Sequence, residues 1–188
     1  MIFKRYESEG LAHYSYLIAD EGQAAAIDPR RDIDVYLQDA AQDQALIGRV
    51  FETHRNEDFL IGSFEIEEAT GVEVFHADKQ WDYRYGTPAE DGQAWMIGRL
   101  KIRAIHTPGH TPGSTSFWFE ESKTLIAGDT LFRGGIGRTD FPGGDHEQIV
   151  SSIRERIYTL DEEATVITGH GPATTIASEK QSNMFVRA

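Results

Sequence analysis

The chain has 188 residues, a formal net charge of −13 and no cysteine. This length suffices for one domain with its own core, and we expect a single domain over residues 1–188. The acidic charge argues against nucleic acid as a partner, and the lack of cysteine excludes disulfides and thiolate ligands. No apolar run has the length of a membrane span or of a signal peptide, so we expect a cytoplasmic protein without membrane contact.

The first half of the chain predicts strands, then a helix, a strand and a second helix. Strands are expected up to about Asp28, and a helix over residues 32–43. The apolar run Leu46–Phe51 predicts a strand that leads directly into His54. The helix that follows is expected to stop at Thr70-Gly71, because glycine is a common helix terminator.

The second half begins with a strand-rich region, expected over residues 72–125, and continues with a glycine-rich loop. A third helix is predicted next, because Ile149, Ile153 and Ile157 recur every four residues and mark one buried face. Asp145 is positioned to be its N-cap. One more strand and a short helix are expected to close the chain.

Residue types that bind metals stand at the ends of several predicted strands. His54 follows one strand, and Asp129 and His170 each end another short apolar run. His110 lies in the Pro/Gly-rich loop 106–113 after a further strand. If these strands are neighbours in one sheet layer, their loops meet at one edge. The order of the elements therefore predicts that these side chains converge.

The other histidines carry no such signal. His106 shares the loop of His110 but is interpreted as a structural residue or one that supports a ligand. His13, His76 and His146 have no ligand spacing, and we expect them to be ordinary surface or hydrogen-bonding residues.

Over essentially its whole length the sequence resembles the metallo-β-lactamase superfamily. Within it, the branch most similar is the persulfide dioxygenases, of the kind often linked to rhodanese domains, followed by small glyoxalase II-like hydrolases. The segments that carry the resemblance are 10–18, 26–32, 52–54, 106–113 and 134–141. The resemblance implies an α/β (α+β) fold in which two sheets are enclosed by helices, the four-layer αβ/βα sandwich.

In this superfamily the turn after the strand reads His-x-His-x-Asp-His and binds two metals. Here His54 and Asp58 remain, whereas Asn56 and Phe59 occupy the places of two histidines. The resemblance implies a first metal site of His54, His110 and Asp129, a set of two imidazoles and one carboxylate that suits one Fe(II) per chain, with zinc as the alternative. Asp58 and His170 are left for a weak second site, or for support of the first ligands.

The resemblance implies an iron-dependent dioxygenase that oxidises a low-molecular-weight thiol persulfide, such as glutathione persulfide, to sulfite and thiol with O2. Two alternatives stay open: a glyoxalase II-like hydrolase of thioesters, and a degenerate module without catalysis. Arg55, Arg133 and Arg138 are candidates for binding an anionic substrate, although each could equally pair with acids such as Asp140. Many proteins of this family form dimers, so a homodimer is a further expectation.

Overall fold

The computed structural model describes residues 1–8, 10, 12–55, 61–76 and 85–187. Asn56, Asp58 and Phe59 of the predicted metal-binding turn lie outside the described residues. The strands within the described part are β1 (Ile2–Ser8), β2 (His13–Asp20), β3 (Gln23–Ile27), β4 (Leu46–Phe51), β5 (Glu73–His76), β6 (Thr87–Pro88), β7 (Ala94–Ile97), β8 (Leu100–His106), β9 (Thr115–Phe119), β10 (Thr124–Gly128), β11 (Leu131–Phe132), β12 (Gly135–Ile136), β13 (Thr165–Thr168) and β14 (Thr174–Thr175). The helices are α1 (Asp34–Gln42), α2 (Ser63–Thr70), α3 (His146–Ser152) and α4 (Ile176–Ser182), and α3 continues as a π-helical turn over Ile153–Ile157.

The strands form two six-stranded sheets and one small hairpin. The first sheet has the order β1-β2-β3-β4-β5-β6, antiparallel from β1 to β3 and parallel from β3 onwards. The second has the order β14-β13-β10-β9-β8-β7, in which only β10 and β13 run parallel. Strands β11 and β12 pair with each other as a short antiparallel hairpin.

Three apolar clusters hold these layers together. One lies between the two sheets and includes Phe51 and Phe117, whose rings are 5.0 Å apart. A second joins the outer face of the first sheet to α1 and α2, and a third joins the second sheet to α3 and α4. The expected four-layer αβ/βα sandwich is therefore confirmed, because each sheet buries one face against its partner sheet and the other against helices.

The helix ends follow the sequence closely. The side chain of Asp145 accepts a hydrogen bond from the backbone N–H of Gln148 and so caps α3, as predicted. Ile149, Ile153 and Ile157 are fully buried along one face. Gly71 ends α2 in the left-handed conformation, with φ of 73°. Helix α1 begins at Asp34, two residues after the predicted start. No helix within the described residues has the length and apolarity needed to cross a membrane.

Candidate metal centre

The predicted ligands lie at one edge of the sandwich, where strands from both sheets end. His54 follows β4 of the first sheet, whereas Asp129 follows β10 and His170 follows β13 of the second. His110 lies in the loop between β8 and β9. Because β10 and β13 are parallel neighbours, their carboxyl ends meet at this edge. The convergence expected from the sequence is present.

His54, His110 and Asp129 form a compact cluster of donor atoms. Asp129 Oδ2 is 3.8 Å from His54 Nε2 and 3.8 Å from His110 Nε2, and all three donors lie within 4.8 Å of one another. Two ligands at about 2.1 Å from a metal and at a tetrahedral angle are about 3.4 Å apart. The two separations of 3.8 Å from Asp129 Oδ2 need to shorten only slightly to meet this value. The three residues therefore fit a divalent cation.

A chain of buried hydrogen bonds orients His54. The backbone N–H and the hydroxyl of Thr53 both donate to the carboxyl of Asp28, each at 2.7 Å. The hydroxyl oxygen of Thr53 also lies 2.8 Å from His54 Nδ1. Because the Thr53 proton is directed to Asp28, Nδ1–H of His54 donates to Thr53. The lone pair of Nε2 is thereby left for the cluster.

The backbone around this chain of bonds is specialised. Asp28 has a φ of 48°, in the left-handed region that few residues other than glycine adopt. Gly128 lies against the Thr53 side chain, and an added Cβ there would overlap Thr53 Oγ1 and Cβ. Asp28 after β3 and Gly128 at the end of β10 therefore fix the position of Thr53, and Thr53 in turn orients His54.

His110 is oriented in an equivalent way by the backbone. Its Nδ1 donates to the carbonyl of Arg138 at 2.9 Å, since a carbonyl can only accept, and Nε2 again faces the cluster. The ring of Phe141 contacts the His110 ring edge-on, with centroids 5.1 Å apart. Gly137 packs closely against this part of the site. A Cβ there would overlap the carbonyl oxygen of Asp129 and lie 3.1 Å from His110 Nδ1.

Asp129 carries the negative charge of the cluster. Burial opposes its ionisation, but a hydrogen bond from His170 and the nearby imidazoles of His54 and His110 outweigh burial and lower the pKa of Asp129 to about 2. Burial lowers the pKa of His54 to about 3, although Asp129 acts in the opposite direction. At neutral pH the carboxylate is therefore ionised and His54 is neutral, which are the protonation states required of metal ligands.

His170 contacts the cluster from its open side. Its Nδ1 donates to Asp129 Oδ1 at 2.9 Å, and its side chain is 38% exposed. This contact supports the role of stabilising a ligand. The participation of Asp58 in a second site remains a prediction, since Asp58 lies outside the described residues.

His13 is a neighbour of the site that sequence patterns did not reveal. It is 1% exposed and its ring lies edge-on to that of His170, with centroids 5.5 Å apart. Burial lowers its pKa to about 4, and the carboxylate of Asp129 partly offsets this effect. No spacing in the sequence could indicate this contact, because it joins β2 of one sheet to the end of β13 in the other.

The candidate arginines lie outside the helices and strands. Arg55 directly follows His54, and Arg133 is exposed at the turn between β11 and β12. Arg138 donates twice to Asp140, at 2.8 Å and 3.1 Å, which is the ion pairing that the sequence left open. His106 bonds to the carbonyl of Ala89 and is not part of the cluster. It has the structural role predicted for it.

Comparison with known proteins places the chain in a family. The model of the metallo-beta-lactamase superfamily matches residues 9–170, and the chain belongs to this superfamily, whose members use metals. It is 32% identical to hydroxyacylglutathione hydrolase GloC of Haemophilus influenzae, over 90% of each chain. The crystal structure of ETHE1 from Myxococcus xanthus superposes with a TM-score of 0.91 at 32% identity, covering 98% of this chain and 84% of that one.

A further solved structure has metals bound. TTHA1623 in a di-iron-bound form superposes with a TM-score of 0.83 at 26% identity, over 97% of this chain and 100% of that one. The resemblances found in the sequence, to persulfide dioxygenases and to glyoxalase II-like hydrolases, are confirmed by these comparisons.

Proposed function

We propose that this chain is a mononuclear non-haem iron dioxygenase that oxidises a low-molecular-weight persulfide, such as glutathione persulfide, to a thiol and sulfite. The observation that carries the proposal is the donor set of His54, His110 and Asp129, two imidazoles and one carboxylate around one point. Such a set, with positions left open, is typical of Fe(II) oxygenases. The similarity to the ETHE1 structure supports the same branch of the family.

The net reaction is RSSH + O2 + H2O → RSH + SO3²⁻ + 2H⁺, in which the two sulfurs together lose four electrons and dioxygen gains them. Bound Fe(II) would supply the redox chemistry and hold both reactants close together. The residues of the chain keep the ligands in place through hydrogen bonds to Thr53, to the carbonyl of Arg138 and from His170. Their role is to fix a geometry in which the open positions stay available.

An anionic substrate needs local positive charge in this protein, because the formal net charge is −13. Arg138 is suited to this role. Its ion pair with Asp140 is exposed, the side chains being 66% and 71% accessible, and exposed ion pairs are weak enough for a substrate carboxylate to displace. We expect Arg138→Ala to raise KM more than it lowers kcat. Arg55 and Arg133 are further candidates at the same edge.

The second candidate function is hydrolysis of a glutathione thioester. It is favoured by the 32% identity to hydroxyacylglutathione hydrolase GloC, which extends over 90% of both chains. His170 also lies where it could contribute to binding a second metal. In this case the metals held by the cluster and by His170 would supply the activation of water that thioester hydrolysis requires.

Metal content and oxygen uptake distinguish these functions. The protein would be expressed with iron supplementation and analysed for metals, and O2 uptake and sulfite would be followed with glutathione persulfide. About one iron per chain, with sulfite formed in proportion to O2 consumed, is the expected result. Two zinc ions and hydrolysis of S-lactoylglutathione would establish the hydrolase instead. A protein with almost no metal and neither activity would overturn both and identify a non-catalytic module.

Ligand variants test the assignment of residues. His110→Ala and Asp129→Ala are each expected to lose iron and activity together, because two donors hold a divalent cation poorly. His146→Ala is the matched control, since His146 is exposed at the start of α3. Near-normal iron in either ligand variant would contradict the assignment, whatever the activity.

A further inference from the structure

A cavity of about 240 Å³ lies between the two sheets at one edge of the sandwich. It is enclosed by β1 and β2 of the first sheet, and by β13 and the turn after it in the second. Strands β1 and β14 are the outermost strands of their sheets, so this is the side of the molecule and not its centre. His54, His110 and Asp129 are not among the lining residues. The cavity is therefore separate from the metal cluster.

The sizes of the side chains explain why space is left here. Phe3 and Arg5 alternate along β1, and Tyr14 and Tyr16 of the neighbouring strand point to the same face. On the opposite wall, the turn after β13 contributes a glycine and Ala173. Large rings on one sheet thus face small residues on the other, and the gap between them stays unfilled.

Arg5 supplies positive charge to the cavity. Its guanidinium carbon lies 4.3 Å from the centroid of the Tyr14 ring, a cation–π contact that uses none of the five N–H donors. Arg5 is exposed and forms no hydrogen bond or ion pair with any residue that the structure describes. Acidic side chains outnumber Lys and Arg by 31 to 18 in this chain, yet none of the described acids pairs with Arg5. The guanidinium is therefore available to an anion from solution.

We propose that this cavity is a second binding site, for a small organic monoanion with a flat apolar body and a carboxylate that pairs with Arg5. The rings of Phe3, Tyr14 and Tyr16 offer faces and edges for a flat apolar group. A guanidinium binds a carboxylate through two parallel N–H donors. Arg5 is the one cationic residue among those lining the cavity in the described part of the chain, so a single negative charge is matched and a phosphate dianion is not.

The volume sets the size of the ligand. A water-sized group occupies about 30 Å³, so 240 Å³ has room for roughly eight such groups, which corresponds to one six-membered ring with a short acidic side chain. Phenylacetate has this size and charge. Phenylacetamide has nearly the same shape without the charge. Comparison of these two probes therefore isolates the contribution of Arg5.

Binding of both probes to the zinc-loaded protein is followed by the chemical shifts of backbone amides in NMR spectra. Phenylacetate is expected to shift the amides of Arg5, Tyr14 and Ala173 and to bind with a Kd of about 1 mM or below, as a well-placed ligand of this size does. Phenylacetamide should bind at least about threefold more weakly, because it lacks the charge that pairs with the guanidinium.

Three variants and a control locate the site. Arg5→Gln should bring the two probes to within about 1.5-fold of each other, whereas Arg5→Lys keeps the charge and should retain part of the preference for the anion. Ala173→Phe fills the cavity and should weaken both probes at least about tenfold. Arg31→Gln removes an arginine that is 67% exposed and pairs with Glu65, and should bind both probes as the wild-type protein does.

The inference is overturned if phenylacetate at about 10 mM shifts none of the cavity amides, or if the wild-type protein binds both probes equally. It is also overturned if folded Arg5→Gln keeps the full preference for the anion, or if Ala173→Phe binds as the wild-type protein does. Shifts confined to residues around Asp129 would show that the carboxylate binds only at the metal, with the same consequence. None of these results bears on the proposed dioxygenase, which iron content and O2 uptake test separately.

Discussion

Replacing Thr53 by valine tests how the metal centre is held together. Valine keeps the shape of threonine but removes the hydroxyl that joins Asp28, at 2.7 Å, to His54, at 2.8 Å. All three side chains are at least 95% buried. Water therefore cannot replace the lost partner, and each group left unsatisfied costs about 1–3 kcal/mol.

The expected loss of folding free energy for Thr53→Val is therefore about 2–6 kcal/mol, measured by urea unfolding of the metal-free protein. Metal affinity should fall by about 10- to 100-fold, because the ring of His54 is no longer held with Nε2 towards the cluster. Competition with a chromophoric chelator measures this affinity directly.

Thr53→Ser is the matched control, since it removes only a methyl group and keeps the hydroxyl. It should bind metal within about threefold of the wild-type protein and lose no more than about 1.5 kcal/mol. Equal losses of metal affinity in the serine and valine variants would refute the role of the hydroxyl, and so would a valine variant with unchanged affinity.

Three further variants address buried groups in and around the site and at α4. Burial raises the pKa of Asp28 to about 7 against two opposing hydrogen bonds, so the folded protein holds a proton there that the unfolded chain releases near pH 4. Wild-type stability should therefore fall, relative to Asp28→Asn, by up to about 4 kcal/mol between pH 4 and 8 in denaturant titrations. Gly169→Ala should lower metal affinity more than about tenfold in chelator competition, because its Cβ would overlap Asp129 Oδ1. Glu179→Ala should lose about 2–4 kcal/mol in urea unfolding, since this buried carboxylate accepts three hydrogen bonds.

Each of these variants has a control in the chain. The buried Glu52 titrates in both the wild-type protein and Asp28→Asn, so the diagnostic quantity is the difference between their two curves of stability against pH. Parallel curves would contradict the prediction. Gly48→Ala adds a Cβ in open space and should bind metal normally. Glu163→Ala removes a carboxylate whose side chain is 83% exposed and should be nearly neutral in stability. If Glu163→Ala destabilises the protein as much as Glu179→Ala does, the buried hydrogen bonds to Glu179 are not the cause of the loss.

Several elements were predictable because their cause is local. The isoleucines of α3 recur with helical spacing, and Asp145 precedes them at the N-cap, so the helix and its buried face could be inferred from neighbouring residues. Its continuation as a π-helical turn at Ile153 was not predictable, because the same isoleucine spacing also fits an ordinary α-helix. Arg138 shows an intermediate case, since its partner Asp140 is nearby in sequence but other acids competed for it.

The convergence of the candidate metal ligands was predictable from sequence for a related reason. His54, His110, Asp129 and His170 each follow a strand, and strands aligned in a sheet bring their ends together. Residue type, order and strand pattern therefore predicted that these four side chains converge. The fold class and the choice of His54, His110 and Asp129 as the first site followed from the resemblance to the metallo-β-lactamase superfamily.

The surroundings of these ligands were decided only by the tertiary structure. The contact of His13 with His170 spans both sheets, and the bonds from Asp28 through Thr53 to His54 depend on the parallel alignment of β3 and β4. Such contacts depend on how the layers stack and on the register between strands. These are properties of packing between distant segments, and no periodicity along the chain encodes them.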